Sequence, residues 1–280
     1  PGIVSGCSRQ KEEKLTKYDT QFFELFDTVT SVTGYARDEK TFQSYVDVFY
    51  DELKEYHQLY DIYNDYEGIN NIKTINDHAG IEPVEVDDKI IQMLEEAVDI
   101  YELTDGNMNV AMGSVLSIWH EYREAGLKHP EQAQLPPQEE LEEAAKHMDI
   151  RKMVIDPEKK TVYLEDPDMS LDVGAIAKGY AAEMASRKVE EAGLKHALIS
   201  VGGNIRCIGT KPDGQKWVVG VQNPDTTSGE RYLHRLGLDG MSLVTSGTYQ
   251  RYYTVDGVNY HHIIHPKLLK PWDRYSSVSI

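Results

Sequence analysis

The sequence predicts an α+β fold in which helices pack on mixed sheets. Apolar residues recur at spacings of three and four over residues 39–63, which is typical of an amphipathic helix. Alternating or β-branched runs at 22–35, 196–201 and 217–222 indicate strands. With 280 residues, 40% of them hydrophobic, the chain can bury the core of one large domain or of two lobes.

The N-terminal half combines predicted helices with polar loops. The elements expected in order are a strand over 22–35 that contains Phe26-Asp27-Thr28, a helix over 39–63, a loop rich in Asn, Asp and Gly over 64–80 with a short turn at 69–75, a helix capped by Asp87 or Asp88 that runs to about Leu103, small residues over 107–122, a polar proline-bearing linker over 124–137, and a short acidic helix over 137–147.

The C-terminal half is predicted to be richer in strands. The expected elements are a hairpin of 154–156 and 161–164, a helix from Ala175 to about Ala192 that Gly193 closes, strands over 196–201, 205–209, 217–222 and 251–255, short apolar runs at 243–246 and 260–264, and the start of a strand at 276–280.

The charge balance excludes several classes of partner. Lysine and arginine total 29 against 47 acidic residues, which gives a net charge of −18. Such a chain has neither the basic surface that nucleic acids require nor a patch for anionic lipids. The two cysteines, Cys7 and Cys207, give no basis for predicting a disulfide framework.

The N-terminus resembles the end of a bacterial lipoprotein signal. Residues 4–7 (VSGC) are followed by a polar run, so Cys7 is expected to carry a lipid and residues 1–19 to form the lipobox remnant and a tether. A chance VSGC in a flexible tail is the alternative. No later run is apolar enough to span a membrane. The sequence thus predicts an extracytoplasmic domain, held at the bacterial cell membrane only by its anchor.

Residues 171–181 (LDVGAIAKGYA) organise the rest of the chain. A strand-like lead-in runs into Gly174, and a helix begins near Ala175. Small residues leave the backbone uncovered, so a large ligand can approach it closely. The N–H groups of a helix start, together with Lys178, favour an anion such as a phosphate, and Asp172 adds an acid. The alternative is a tightly packed helix with a solvated lysine.

Further downstream, residues 260–266 (YHHIIHP) carry three histidines. Three imidazoles so close together suggest zinc, but strand alternation directs His261 and His262 to opposite faces. A single histidine acting as a base or as an anion ligand beside a phosphate is the preferred interpretation.

The order of these segments resembles one family, the ApbE-type flavin transferases. The sequence LDVGAIAKGYA is followed by ALISVGGNIRCIG, WVVGVQNP, VTSGTYQRYY and YHHIIHP, and is preceded by FDT, IYNDYEGIN and TDGNMNVAMGSVLSIW. The resemblance covers roughly residues 22–280. It implies a single domain over 20–280 with two interlocked lobes around a flavin-nucleotide cleft. It also implies an enzyme that takes FAD and attaches FMN by a phosphoester bond to a threonine or serine of a target flavoprotein, with release of AMP.

The resemblance also implies roles for individual residues. Lys178 would neutralise phosphate charge, His262 would take the proton of the acceptor hydroxyl, and the carbonyl of Ala175 would help to hold Mg²⁺. The implied FAD contacts are Phe26, Tyr63, Asn109, Val110, Ala111, Asp172, Lys178, Thr245, Ser246, His262 and Ile264.

The chain departs from the family pattern in three places. His265 replaces the acid of the common HIIDPxTG motif, and Asn109-Val110-Ala111 lacks the acid of a D-x-T motif. The main metal ligands of the family are expected downstream of Ile280, so the sequence is either a fragment or carries an incomplete metal site. Alternatives therefore stay open: an FAD pyrophosphatase that gives FMN and AMP, a non-catalytic flavin-binding lipoprotein, or an extracytoplasmic lipoprotein that binds no flavin.

Overall fold

The computed structural model describes residues 14–225 and 227–280. The helices are α1 Glu39–Leu59, α2 Ile72–Asp77, α3 Asp88–Leu103, α4 Gly113–Lys128, α5 Gln138–Ala144 and α6 Ala177–Glu191, with 3₁₀ turns at Val110–Met112, Pro130–Gln132, Ala145–His147 and Ile150–Lys152. The strands are β1 Thr16–Phe22, β2 Thr30–Ala36, β3 Val84–Glu85, β4 Met153–Asp156, β5 Thr161–Leu164, β6 Ala197–Val201, β7 Asn204–Ile208, β8 Trp217–Gln222, β9 Tyr232–Leu238, β10 Ser242–Leu243, β11 Thr245–Gly247, β12 Tyr252–Val255, β13 Val258–His261 and β14 Ser277–Ser279. The predicted α+β class is confirmed.

The largest sheet has five strands in the order β1-β2-β6-β7-β10. Its registers pair Val32 of β2 with Ile199 of β6, and Leu198 of β6 with Cys207 of β7. Smaller sheets are β3-β5-β4, β8-β9, β11-β14 and β12-β13. Every strand pairing among the described residues is antiparallel.

Helices α1 and α6 pack against each other and supply much of the main core. The buried residues of α1 recur at spacings of three and four, as the sequence predicts: Phe42, Val46, Phe49, Leu53, Tyr56 and Leu59. α6 contributes Ala181, Ala182 and Ala185, whose small side chains let the two helices approach. Full burial of a side chain such as Phe49 stabilises the fold by about 1.5–3 kcal/mol. This core fixes the position of the α6 N-terminus.

A second hydrophobic cluster joins α4 to the C-terminal hairpin β12-β13. Val115 and Trp119 of α4 pack with Leu141 of α5 and Tyr253 of β12. The indole Nε1 of Trp119 donates to the carbonyl of Leu269 at 2.9 Å, so its buried polar atom is satisfied. α4 is therefore held firmly against the segment that carries the three histidines.

The structure corrects the predicted strand over residues 22–35. β1 ends at Phe22 and β2 begins at Thr30, so Phe26-Asp27-Thr28 lies in the turn between them. Phe26 and Asp27 have φ of 55° and 49°, a left-handed conformation that a strand cannot contain. The predicted tether is also too long, because Thr16–Phe22 pairs with Thr30–Ala36 in the sheet.

Sequence analysis missed the helix α4 and the strands β1, β3 and β9. α4 continues to Lys128, into the segment assigned to a polar linker. β9 escaped notice because its side chains are exposed except at Leu238, so it lacks alternation.

The predicted lipid attachment site at Cys7 lies outside the described residues. Over residues 14–225 and 227–280, no helix is both long enough and apolar enough to cross a membrane.

Candidate active site

The segment that leads into α6 is held by hydrogen bonds from its backbone to Asn76 and to Val110. The Leu171 N–H donates to Asn76 Oδ1 at 2.7 Å, and its carbonyl accepts from Asn76 Nδ2 at 3.0 Å. The next N–H, of Asp172, donates to the carbonyl of Val110 at 2.8 Å. The Asp172 carboxylate is thereby held in place before any ligand binds.

The Asp172 side chain is half-buried, while its neighbours Leu171 and Val173 are buried in the core. Its Oδ1 accepts from the Gly174 N–H at 2.8 Å. Burial raises the pKa of the Asp172 carboxyl, although that hydrogen bond and the nearby His120 oppose the shift. An ionised Asp172 is therefore costly in the free protein, and a bound cation would relieve that cost.

The start of α6 leaves its backbone uncovered. The Ile176 and Ala177 N–H groups both donate to the carbonyl of Val173, at 3.0 and 2.8 Å. Within the described chain, no backbone N–H donates to the carbonyl of the exposed Ala175. A Cβ built on Gly179 would meet no atom within 4 Å. The helix start thus has both space and free polar groups for a ligand.

Lys178 stands in the first turn of α6 without an ion-pair partner among residues 14–225 and 227–280. Burial lowers the pKa of its ammonium, the positive charge of Arg251 lowers it further, and the Asp27 carboxylate raises it. A half-buried, unpaired ammonium at a helix N-terminus is favourable only if an anion joins it.

The turn between β1 and β2 borders this region. The Phe26 N–H donates to His57 Nδ1 at 3.3 Å, and the two rings meet edge to face at 5.4 Å. Gly202 has a φ of 56°, and a Cβ built on it would lie 2.5 Å from Thr28 Oγ1. The turn at Gly202 therefore requires glycine so that it can pack against this strained turn, and left-handed non-glycine residues are concentrated at functional sites.

Tyr63 lies beside α4 and is exposed on one face. Its ring centroid is 5.7 Å from that of His120. Partial burial of the phenol raises the pKa of Tyr63, and the negative charge of the Asp172 carboxylate raises this pKa further. Tyr63, Asp172 and His120 therefore belong to one site.

The two adjacent histidines have opposite tautomers. The Ile263 N–H donates to His261 Nδ1 at 3.2 Å, so His261 Nε2 carries the proton and donates to Asp273 Oδ1 at 2.9 Å. His262 Nδ1 lies 3.2 Å from the carbonyl of Arg251, which can only accept, so His262 Nε2 keeps a free lone pair. Burial lowers the pKa of His262. His262 is thus a neutral imidazole with an available base nitrogen.

Most of the remaining predicted FAD contacts are buried or already hydrogen-bonded within the protein. Val110 and Ala111 are 1% and 0% exposed, so neither presents an open surface to a ligand. The Val110 carbonyl accepts from the Asp172 N–H, and Asn109 caps the 3₁₀ turn by accepting from the Ala111 N–H. Ile264 packs into the second hydrophobic cluster. Thr245 bonds to Ser279 of β14 at 2.7 Å, which leaves the exposed Ser246 as the freer hydroxyl.

Sequence analysis did not single out Asp27, His120, Arg123 and Arg251, which lie close enough to perturb the pKa values of the predicted residues. The signal for two of them was the three-residue spacing of His120 and Arg123. It would have been visible only after residues 113–128 had been recognised as a helix.

His265 has a structural role that its sequence context does not reveal. Its Nδ1 accepts from the N–H groups of Lys267 and Leu268 at 3.1 and 3.3 Å. An aspartate makes this pair of bonds in an Asx turn. The His265 side chain therefore stabilises the turn at residues 265–268.

An acidic cluster elsewhere has metal-ligand spacing. Ligand atoms of His147, Asp166 and Asp168 lie within 4.8 Å of one another. However, Asp166 already binds Lys152 at 2.7 Å and His147 at 2.9 Å, and these partners hold its pKa at about 2. The charge of this carboxylate is balanced by the protein itself.

Comparison with known proteins gives the family. The profile of the ApbE family matches residues 26–280. The chain belongs to the ApbE family. This confirms the resemblance inferred from the order of the motifs.

Several relatives of the chain are named FAD:protein FMN transferase. The chain is 30% identical over 210 residues to FAD:protein FMN transferase of Klebsiella pneumoniae, covering 73% of this chain and 60% of that protein. It is 33% identical over 208 residues to the Treponema pallidum protein of the same name, covering 70% and 55%. The chain thus spans less than two thirds of the length of these relatives.

The fold agrees with solved ApbE structures. The crystal structure of ApbE from Thermotoga maritima superposes with a TM-score of 0.79 at 30% identity, covering 95% of this chain and 81% of that one. The flavin transferase ApbE of Vibrio cholerae superposes with a TM-score of 0.75 at 23% identity, which concerns the fold alone.

Proposed function

We propose that this protein is an FAD:protein FMN transferase, which moves FMN from FAD to a threonine or serine hydroxyl of an acceptor flavoprotein. The observation that carries the proposal is the Lys178 ammonium, which has no ion-pair partner in the described ranges, at the uncovered start of the helix that follows Asp172. Relatives that the chain matches over most of its length are named for this activity.

The reaction exchanges one phosphate ester bond for another. The acceptor hydroxyl oxygen attacks the phosphorus on the FMN side of the diphosphate, and a new P–O bond forms. The bond from that phosphorus to the bridging oxygen breaks, and AMP leaves with the bridging oxygen. The hydroxyl proton passes to a base, and the charge of the transferred group must be neutralised throughout.

His262 is the proposed base. Its Nδ1–H is fixed by the carbonyl of Arg251, so Nε2 is the nitrogen that receives the proton. Because its pKa is lowered, the imidazole is neutral near pH 7 and ready to accept.

The Lys178 ammonium and the backbone N–H groups of Lys178 and Gly179, which donate to no protein acceptor in the described ranges, are proposed to hold the diphosphate oxygens. The ammonium supplies a full charge, and the helix start supplies aligned donors that need no rearrangement during the reaction. The absence of a side chain at Gly179 lets the phosphate reach the backbone.

Mg²⁺ is proposed as a further requirement, and the donor chemistry fits it. The exposed carbonyl of Ala175 and the Asp172 carboxylate offer the oxygen ligands that Mg²⁺ prefers. When bound, the ion withdraws charge from the phosphate oxygens. EDTA should therefore weaken FAD binding as well as turnover, and added Mg²⁺ should restore both.

The acceptor is proposed to be a respiratory or electron-transfer flavoprotein.

The protein is proposed to be anchored outside the membrane by a lipid on Cys7. The anchor is supported by the VSGC sequence at residues 4–7. Metabolic labelling with a radioactive fatty acid tests it: wild type should be labelled and Cys7→Ser should not. Label that remains in Cys7→Ser would disprove the anchor.

The activity is tested by incubating the protein with FAD, Mg²⁺ and a flavoprotein domain that carries an acceptor threonine. Flavin fluorescence should comigrate with the acceptor on a denaturing gel and should be lost with Lys178→Met. Release of FMN and AMP without labelled acceptor would instead identify an FAD pyrophosphatase.

A further inference from the structure

α4 carries an imidazole and a guanidinium on one face. His120 and Arg123 are three residues apart, so they are neighbours on the helix surface. The His120 ring is 5.7 Å from the Tyr63 ring, with an angle of 32° between their planes. This face of α4 is therefore directed at the same site as Asp172.

The packing of α4 also brings it to His262. A Cβ built on Gly126 would lie 2.8 Å from Tyr253 Cδ2, so α4 and β12 are in close contact. Arg251 immediately precedes β12, and its carbonyl holds both the N–H and the Nδ1 of His262 at 3.2 Å. Besides burial, both Arg251 and Arg123 lower the pKa of His262.

Within residues 14–225 and 227–280, neither Arg123 nor Arg251 forms an ion pair with the two carboxylates of the site, Asp27 and Asp172. The only carboxylate within 4 Å of the Arg123 guanidinium in the described ranges is that of the adjacent Glu124, at 3.2 Å, which uses one of its five donors. The Arg123 side chain is 23% exposed. Arg251 and Lys178 have no ion pair in the same part of the chain. Arg251 lies close enough to Lys178 for its charge to lower the pKa of that ammonium, so an anion bound between the two cations would relieve their repulsion.

We propose that Arg123, together with Arg251, binds the diphosphate of the dinucleotide on the α4 side of the site, while Lys178 binds it from α6. The proposal rests on the proposed function in taking FAD as the ligand. A diphosphate presents more oxygens than one ammonium can engage, and the guanidinium fork binds phosphate oxygens in pairs. Arg123 thus makes the site selective for FAD over flavins without a diphosphate.

The test compares Arg123→Gln, Arg123→Lys and the control Arg151→Gln. Arg151 is 86% exposed and pairs with Asp149, so its replacement changes the net charge equally. Dissociation constants are measured for FAD and riboflavin by flavin fluorescence, and for inorganic diphosphate by calorimetry in EDTA. Arg123→Gln should raise the dissociation constants of FAD and of inorganic diphosphate about 10- to 100-fold. It should raise that of riboflavin less than about twofold. The dissociation constants of Arg123→Lys should lie between those of wild type and those of Arg123→Gln. The dissociation constants of Arg151→Gln should equal those of wild type.

Equal weakening of FAD and riboflavin would show that Arg123 only supports the fold, and would overturn the proposal. If Arg123→Gln left FAD binding unchanged but slowed transfer to the acceptor, Arg123 would be a contact for the acceptor protein and not for the diphosphate. That result would also overturn the proposal. Binding of inorganic diphosphate that depends on Arg123, in a protein that binds no FAD, would support the anion site while contradicting the flavin transferase function.

Discussion

Replacing Gly179 with alanine separates ligand binding at the start of α6 from folding. The free protein has room for the new methyl group, because a Cβ there meets no atom within 4 Å. Alanine stabilises a helix relative to glycine by roughly 0.5–1 kcal/mol. Since Gly179 is in the first turn, we expect about 0.5 kcal/mol, or about 1–2 °C in Tm.

The same methyl group occupies the space through which a phosphate would reach the backbone. Loss of one charge-assisted hydrogen bond weakens binding by about tenfold or more. Gly179→Ala should therefore raise Tm and raise the Kd for FAD, as measured by thermal unfolding and by flavin fluorescence titration.

Gly80→Ala is the matched control for this experiment. Gly80 has a φ of 69°, and a Cβ there would lie 2.6 Å from Pro167 Cβ, so alanine should lower Tm without a specific effect on FAD affinity. A lower Tm for Gly179→Ala would mean that the folded protein has no room for a methyl group at position 179. An unchanged Kd for FAD would mean that the diphosphate does not approach Gly179.

Three further predictions follow from the site. Lys178→Met should raise Tm near pH 7, because a buried ammonium with a lowered pKa destabilises the folded state while it is charged, and should weaken FAD binding at least about tenfold; a lower Tm would contradict this. With a His262 pKa below 6.5, the transfer rate should be constant near pH 7–8 and fall only as the pH drops below 6.5, because protonation removes the Nε2 lone pair; a rate that rises on acidification would contradict this. Gly202→Ala should cost about 1–3 kcal/mol in urea unfolding, because its Cβ meets Thr28 Oγ1; unchanged stability would refute the close packing.

Several elements were predictable because local chemistry decides them. α3 begins after Asp87, whose side chain accepts from the Lys89 N–H, and it ends at Leu103 as expected. β8 spans Trp217–Gln222, the range predicted from its apolar, valine-rich sequence. Gly193 follows α6 with a φ of 110°.

Other features depend on contacts that no local pattern records. The turn at Phe26 and Asp27 is left-handed although neither residue is glycine, because His57 and the Gly202 turn hold it from outside. Likewise, the tautomer of His262 depends on a carbonyl eleven positions earlier in the chain, and Arg123 reaches the site only through the packing of α4 on β12.

The central claim is that the site transfers FMN to a hydroxyl. The most direct measurement is the intact mass of an acceptor flavoprotein after incubation with FAD and Mg²⁺, together with the amount of AMP released. The account predicts one added FMN group per AMP, lost with Lys178→Met or with alanine in place of the acceptor threonine. An acceptor of unchanged mass, with or without AMP in solution, would contradict it.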